Sequence, residues 1–271
     1  MPRPPPILEV PIFGRDSLLP AIRAGARRIE LNAEGSYSVG GTTPSVFLLG
    51  NVIRDLNRAD PSVGLSVMIR PRGGNFFYSP EEKLRILEDI LALKIELEST
   101  RRDLDGFVFG ALLPSSMGGC QIDVRFCNIV LELCRPFGVV FHRAFDEVLA
   151  SRWGEHNELA ILRDTGFKGV LTSGGLGNAP ENLKALKRVV EESDGQLEII
   201  VGGGVRRGNI LPIYEELRKI RNAECVVYHS SCLVNPSEVS EEVDEEEVRQ
   251  IVRVLSPGPS RPNPAKEEED N

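Results

Sequence analysis

The chain lacks most of the features that would assign it at a glance. None of its five cysteines forms a C-x-x-C pair, and an odd count without paired spacing argues against a disulfide scaffold. No apolar run approaches the roughly 18 residues that a membrane span needs. The N-terminal MPRPPPILEV has no apolar h-region of a secretory signal. Methionine is confined to Met1, Met68 and Met117, and no Cys/His spacing builds a zinc or thiolate copper site. A reducing intracellular setting, the cytoplasm or the nucleus, is therefore expected, with no membrane association.

A basic stripe is also missing. The net charge of −8 is carried almost entirely by the C-terminal segment: residues 238–255 hold −5 and residues 256–271 hold −2, leaving residues 1–237 near −1. A near-neutral body does not suit nucleic-acid binding. The last stretch, SPGPSRPNPAKEEEDN, reads as a disordered tail over 256–271, so the folded domain is expected over 1–255. The acidic run 241–247 admits a partner-recruiting role beside the plainer one of a solvated face.

What is present is a strict alternation. With 41% hydrophobic residues the chain can build a large core. Short β-branched runs start near Ile7, Arg27, Gly64, Asp105, Gly138, Lys168, Leu197 and Cys225, at intervals of one βα unit. The stretches between them have helical periodicity. Over Glu81–Glu98 the residues Leu84, Leu87, Leu91 and Ile95 share one face, and Val124, Cys127, Val130, Leu131 and Cys134 form a second stripe. Pro180 and Glu181 suit a first helical turn, and residues 238–255 should hold a last helix with Val243, Val248, Ile251, Val252 and Leu255 inward. No strand run leads into a hairpin turn, so parallel pairing with right-handed crossovers is required. The residues after the first strand are GRDSLL rather than G-x-G-x-x-G, which disfavours an open dinucleotide-binding sheet. About eight strands predict an α/β protein of one domain, a (β/α)8 TIM barrel.

In such a barrel chemistry gathers at the carboxyl ends of the strands. There the sequence places Glu30 and Asn32, then Arg70, Arg72 and Asn75, then His142, Arg143 and Asp146, then Thr172 and Ser173, the Gly202-Gly203-Gly204 run, and His229, Ser230 and Ser231. Glu9 lies within the first strand. Each has two readings. Glu9 and Arg143 can belong to structural ion pairs or to a site. The glycines can turn the chain or form an anion-binding nest, and the loops after strands seven and eight favour the nest. Arg70 and Arg72, either side of Pro71, can clamp an anion, or Arg72 can pair with an acid of the helix layer. Asp146 can orient His142 or cap the next helix. His229 can pack in the core or face a ligand. Cys127 and Cys134 read as core residues, and Cys232 lies near the mouth.

The strings IEL (29–31), GGTTPS (40–45), MIRPRGGNFFYS (68–79), VFGAL (108–112), FHRAFD (141–146), LTSGG (171–175), GGGVR (202–206) and YHSS (228–231) resemble, in order, the CutC family, also called the copper homeostasis protein family. The resemblance implies a TIM barrel, a cytosolic homo-oligomer and a part in copper homeostasis, with copper as the implied metal and no assigned enzyme activity. One departure stands out: members typically read IELC where this chain has IELN, so Asn32 replaces the thiol offered as a Cu(I) ligand, and Cys232 beside His229 is the thiol left for metal. The alternative to copper handling is an enzyme or binding protein for a small anionic metabolite, a sugar phosphate or hydroxy acid. Glu30, His142, His229 and Asp146 would then be the acid–base groups; Arg70, Arg72, Arg143, Ser173, Gly203, Gly204, Ser230 and Ser231 would hold the anion. In both readings the partner is a small molecule or ion.

Overall fold

A computed structural model describes residues 6–100, 106–116, 118–152, 158–233 and 241–256. Eight parallel strands close into a barrel: β1 (Leu8–Ile12), β2 (Arg28–Leu31), β3 (Gly64–Met68), β4 (Gly106–Phe109), β7 (Gly138–Phe141), β8 (Gly169–Thr172), β9 (Glu198–Val201) and β10 (Val226–His229). Between β4 and β7 lie two short antiparallel strands, β5 (Leu112–Pro114) and β6 (Cys120–Ile122). The sheet closes where β10 pairs with β1. The tail expected over 256–271 lies outside the described residues except for Ser256. Among the described residues no helix is long and apolar enough to cross a membrane.

Alternation along each strand divides the core into two layers. Met68, Val108, Val140, Leu171, Ile200 and Val227, one from each of six strands, form a separate buried cluster. Their sequence neighbours, such as Val67, Phe107, Phe109, Val139, Phe141, Val170, Ile199 and Val201, belong to the larger cluster shared with the helices. The helices are α1 (Leu18–Ala24), α2 (Val46–Ala59), α3 (Pro80–Thr100), α4 (Val124–Cys134), α5 (Ala144–Arg152), α6 (Glu158–Thr165), α7 (Leu183–Ser193), α8 (Ile210–Leu217) and α9 (Glu245–Leu255). The last packs on the first, closing the outer ring as the strands close the inner one.

Three expectations need correction. The β5–β6 hairpin contradicts the absence of hairpins; its signal is Gly118-Gly119, both at positive φ, in a three-residue-strand unit too short for a period-2 pattern. On α3 the inward face is Ile86, Ile90, Leu93 and Leu97, whereas Leu84, Leu91 and Ile95 are exposed. Two apolar stripes of equal spacing run along this helix, and periodicity alone cannot say which one meets the sheet. Pro180 and Glu181 sit in a turn just ahead of α7 rather than in its first turn. Of the residues expected inward over 238–255, Val248, Ile251 and Leu255 on α9 are buried, Val252 is half-buried, Val243 is buried just ahead of the helix, and 238–240 lie outside the described residues.

The acidic run 241–247 is part of the fold. Asp244 caps α9 by accepting the N–H groups of Glu246 and Glu247, and Glu245 to Glu247 lie in the first turn, where the helix dipole favours negative charge. Glu241 accepts N–H groups of Gly35 and Tyr37, and Glu247 pairs with Arg207.

The interior also holds charge. Arg28 on β2 is buried, pairs through Nε with Glu9 on β1 and reaches Glu198 on β9 with Nη1 at 2.8 and 3.0 Å. Removing one member of a buried ion cluster strands the others. Arg28→Met is expected to lower unfolding stability by about 3–5 kcal/mol in urea denaturation followed by circular dichroism. The neighbouring Arg27→Met, which breaks only an exposed 3.8 Å pair with Asp60, should change it little.

Candidate functional site

Register carries the floor of the barrel mouth. Glu9 lies opposite Arg28 on one side and opposite His229 on the other, so three interior side chains share one level. Glu9 divides its two oxygens accordingly: Oε2 takes Arg28 Nε and Oε1 lies 2.7 Å from His229 Nδ1. Burial opposes ionisation of Glu9, but Arg28 and His229 outweigh it and hold the carboxyl down at about 2. For His229 burial favours the neutral ring, yet the bond to Glu9 and the charge of Glu30 raise its pKa above the usual histidine value.

Glu30, two residues along β2 from Arg28 on the same face, is 3% exposed. Its Oε1 accepts the Asn32 side-chain N–H at 3.0 Å, while the buried Oε2 has no partner among the described residues. Burial pushes this carboxyl above the ordinary glutamate range, with His229 working against the shift.

His142, after β7, is the second buried imidazole. Its Nδ1 accepts the N–H of Ala144 at 3.2 Å, so that nitrogen carries the lone pair and Nε2 carries the hydrogen. Nε2 is buried without a partner. The ring lies against Phe76, Phe141 and Phe109, and a Cβ on Gly110 would come within 2.5 Å of Nδ1, so glycine there makes room for it. Burial, reinforced by Arg70, lowers its pKa to about 3.

Asp146 does not touch His142, which corrects the orienting role expected of it. It is the anchor of the loop after β8: it accepts the hydroxyl of Thr172, the N–H of Ser173 and the N–H of Gly175, and pairs with Arg143 Nε at 2.8 Å. Arg143 in turn donates to Ser173 Oγ at 2.8 Å and to the Gly177 carbonyl at 3.0 Å. Arg70 is spent on carbonyls of Val39, Gly41 and Gly74, tying the loop after β2 to the loop after β3, so it lines the mouth as a strap with little left to clamp an anion. Arg72 lies outside the cavity and pairs with Glu82 on α3 and with carbonyls of Asn75 and Phe77. A helix-layer acid was within reach of its long side chain, and it took it.

The opposite wall has free donors. Gly203 and Gly204 adopt φ of 86° and 73°, and a Cβ on either would meet Ser173 or Asn178 within 2.9 Å. Their N–H groups have no acceptor among the described residues. Beside them Arg206, which the sequence reading did not single out, forms no ion pair among the described residues and keeps a buried Nη1 without a partner. Its signal was its place at the end of GGGVR. Ser230 is occupied, donating to the Val205 carbonyl at 2.6 Å, whereas Ser231 lines the cavity and its hydroxyl has no partner among the described residues. The cavity of about 640 Å³ brings together Glu30, Arg70, His142, Arg143, Asp146, Gly203, Gly204, His229, Ser230 and Ser231, with Arg206. Ser173 sits just behind it.

Thiols are absent from this lining. Cys232 is fully buried behind Ser230, and burial raises its thiol to about 12, so it is not placed as a metal ligand. Asn32 supplies an amide where a thiol would be needed. The residues at the mouth therefore do not fit a thiolate Cu(I) centre.

An eight-stranded parallel barrel with helices between its strands, and with carboxylate, imidazole and guanidinium groups gathered at the strand ends, is a TIM barrel. The chain belongs to the CutC family, whose model matches residues 6–223. It is 37% identical over 212 residues to the human copper homeostasis protein cutC homolog, covering 77% of this chain and 69% of that one. The Caenorhabditis elegans homolog of the same name is 33% identical, over 84% of this chain and 80% of its own. A crystal structure of CutC from Streptococcus agalactiae superposes with a TM-score of 0.68 at 28% identity, covering 83% of this chain and 98% of that one.

The buried neutral His142 makes a pH-dependent contribution with a definite sign. Its folded pKa lies below the unfolded value of 6.5, so between the two the unfolded chain binds more protons and stability falls as pH drops. In His142→Asn that loss should disappear. From pH 6.5 to 4.5 wild type should lose stability faster than the variant, by up to about 1.4 kcal/mol per pH unit in parallel urea titrations. Parallel curves would place the neutral-imidazole assignment in error.

Proposed function

We propose that this chain serves copper homeostasis as an enzyme or binding protein for a small anionic metabolite, a sugar phosphate or hydroxy acid, and does not carry cuprous ion on thiolates. The observation that carries the reading is the set of unused donors on one wall of the cavity. The guanidinium of Arg206, the N–H groups of Gly203 and Gly204 and the Ser231 hydroxyl have no acceptors among the described residues. Uncommitted donors at a part-buried wall are costly unless an anion takes them. They follow the seventh and eighth barrel strands, where barrels commonly hold phosphate.

Across the same cavity stand groups that can move protons. Glu30 has a carboxyl with a raised pKa, His229 shares a proton with Glu9, and His142 offers an uncharged N–H. A carboxyl displaced toward neutrality and a neutral imidazole donor lining the same cavity suit proton transfer next to a carbonyl or hydroxyl of a bound acid. The five free cysteines support a reducing, cytoplasmic setting.

Thermal-shift screening of the full chain with inorganic phosphate, phosphorylated sugars and hydroxy acids tests the reading. A ligand present at ten times its Kd stabilises by about 1.4 kcal/mol, roughly 3–5 °C for a chain of this size. Arg206→Ala and Gly204→Val should abolish the shift. No response to any anion, or a response that survives both substitutions, would remove the anion site. Titration with Cu(I) against a competing chelator should show no binding tighter than micromolar and no effect of Cys232→Ala.

A further inference from the structure

We infer that Glu9, Glu30 and His229 form a binding site for a divalent cation that favours oxygen and nitrogen ligands, such as Zn2+. Each residue offers one ligand atom, and these atoms all lie within 4.8 Å of one another at the base of the mouth. Ligands held about 2.1 Å from one metal stand roughly 3.0–3.4 Å apart, so small side-chain rotations close the set. No other described group occupies Glu30 Oε2. This oxygen is buried and unpartnered on a residue 97% removed from solvent, the position of a ligand atom waiting for a cation.

Charge balance points the same way. Three buried or part-buried carboxylates, Glu9, Glu30 and Glu198, surround the single guanidinium of Arg28. When a metal displaces the protons of this cluster, the three carboxylates outnumber the one guanidinium by two, and a divalent cation balances that excess. Arg28 does not block the site, since it takes only Glu9 Oε2 and leaves Oε1 to face His229. The hydrogen now shared between Glu9 Oε1 and His229 Nδ1 occupies the place the cation would take.

The donor set selects the class of ion. One imidazole and two carboxylates suit zinc and other borderline divalent ions and are poor partners for soft Cu(I). Three protein ligands leave coordination positions open toward the cavity, as in catalytic rather than structural metal sites. The cation site stands apart from the anion reading, because Zn2+ is added with no organic ligand or phosphate present.

The test is a Zn2+ titration of the full chain, stripped with chelator, in competition with a chromophoric chelator. One equivalent should bind with micromolar or tighter affinity. Glu30→Gln keeps an oxygen for Asn32 and removes the charge; it should weaken Zn2+ at least about 100-fold, beyond the 10–100-fold typical of losing an outer partner. His229→Asn should act similarly, and serves if Glu30→Gln does not fold. X-ray absorption of the loaded protein should show an oxygen and nitrogen shell with one imidazole and no sulfur. No stoichiometric binding, binding unchanged in both variants, or a sulfur shell would overturn the site. So would Glu30→Gln raising the melting temperature without any Zn2+ effect, because protons would then be balancing the floor.

Discussion

Inside the barrel Arg28 holds Glu9 on the adjacent strand and Glu198 two strands beyond that, and what stands above it follows from that placement. An ion cluster at this depth contributes little net stability, since desolvation offsets attraction. Its consequence is positional. With one oxygen fixed by Arg28, Glu9 can present only the other to His229, and the ring is thereby held at the wall of the mouth. The same strand then delivers Glu30 two residues later to the same face. A single guanidinium thus sets the height and orientation of three groups on β1, β2 and β10.

The rim is fixed by a second device of opposite sign. Asp146, a buried carboxylate, gathers Thr172, Ser173, Gly175 and Arg143, and so stiffens the loop after β8 that backs the glycine turn after β9. Arg70 does the same between the loops after β2 and β3, using carbonyls as its partners. Buried charged groups whose hydrogen bonds are filled by neighbouring loops restrict motion. Arg28 and Arg70 each keep one buried nitrogen without a partner among the described residues, but their other nitrogens fix them, whereas Glu30 Oε2, His142 Nε2 and Arg206 Nη1 are unpartnered atoms on residues that line the cavity.

Much of this was legible in the sequence because a barrel strand records its two faces with period 2. The run RRIELN places Arg28 and Glu30 on one face and Ile29 and Leu31 on the other, and the structure buries them in that order. The eight strand starts and the gathering of Glu30, His142 and His229 followed from the same rule. Long side chains escaped it. Arg72 could reach into the mouth or back to α3, and the acid that decided the matter, Glu82, lies ten residues on. Asp146 sits four residues from His142, but at the start of α5 it is directed at the next strand end. The face of α3 was misread because Leu84, Leu91 and Ile95 repeat with the same spacing as Ile86, Ile90, Leu93 and Leu97; only the sheet breaks that tie.

Asn32 shows how one amide adjusts the chemistry of the floor without being part of its ion cluster. Its side-chain amide donates to Glu30 Oε1 at 3.0 Å, and the residue is 1% exposed. That hydrogen bond favours the ionised carboxylate and so counteracts part of the upward push that burial gives Glu30. A thiol at the same place would be a softer ligand and a weaker donor. With an amide at this position the floor of the mouth offers oxygen and nitrogen alone, and Glu9, Arg28 and His229 hold one another through bonds that do not involve residue 32.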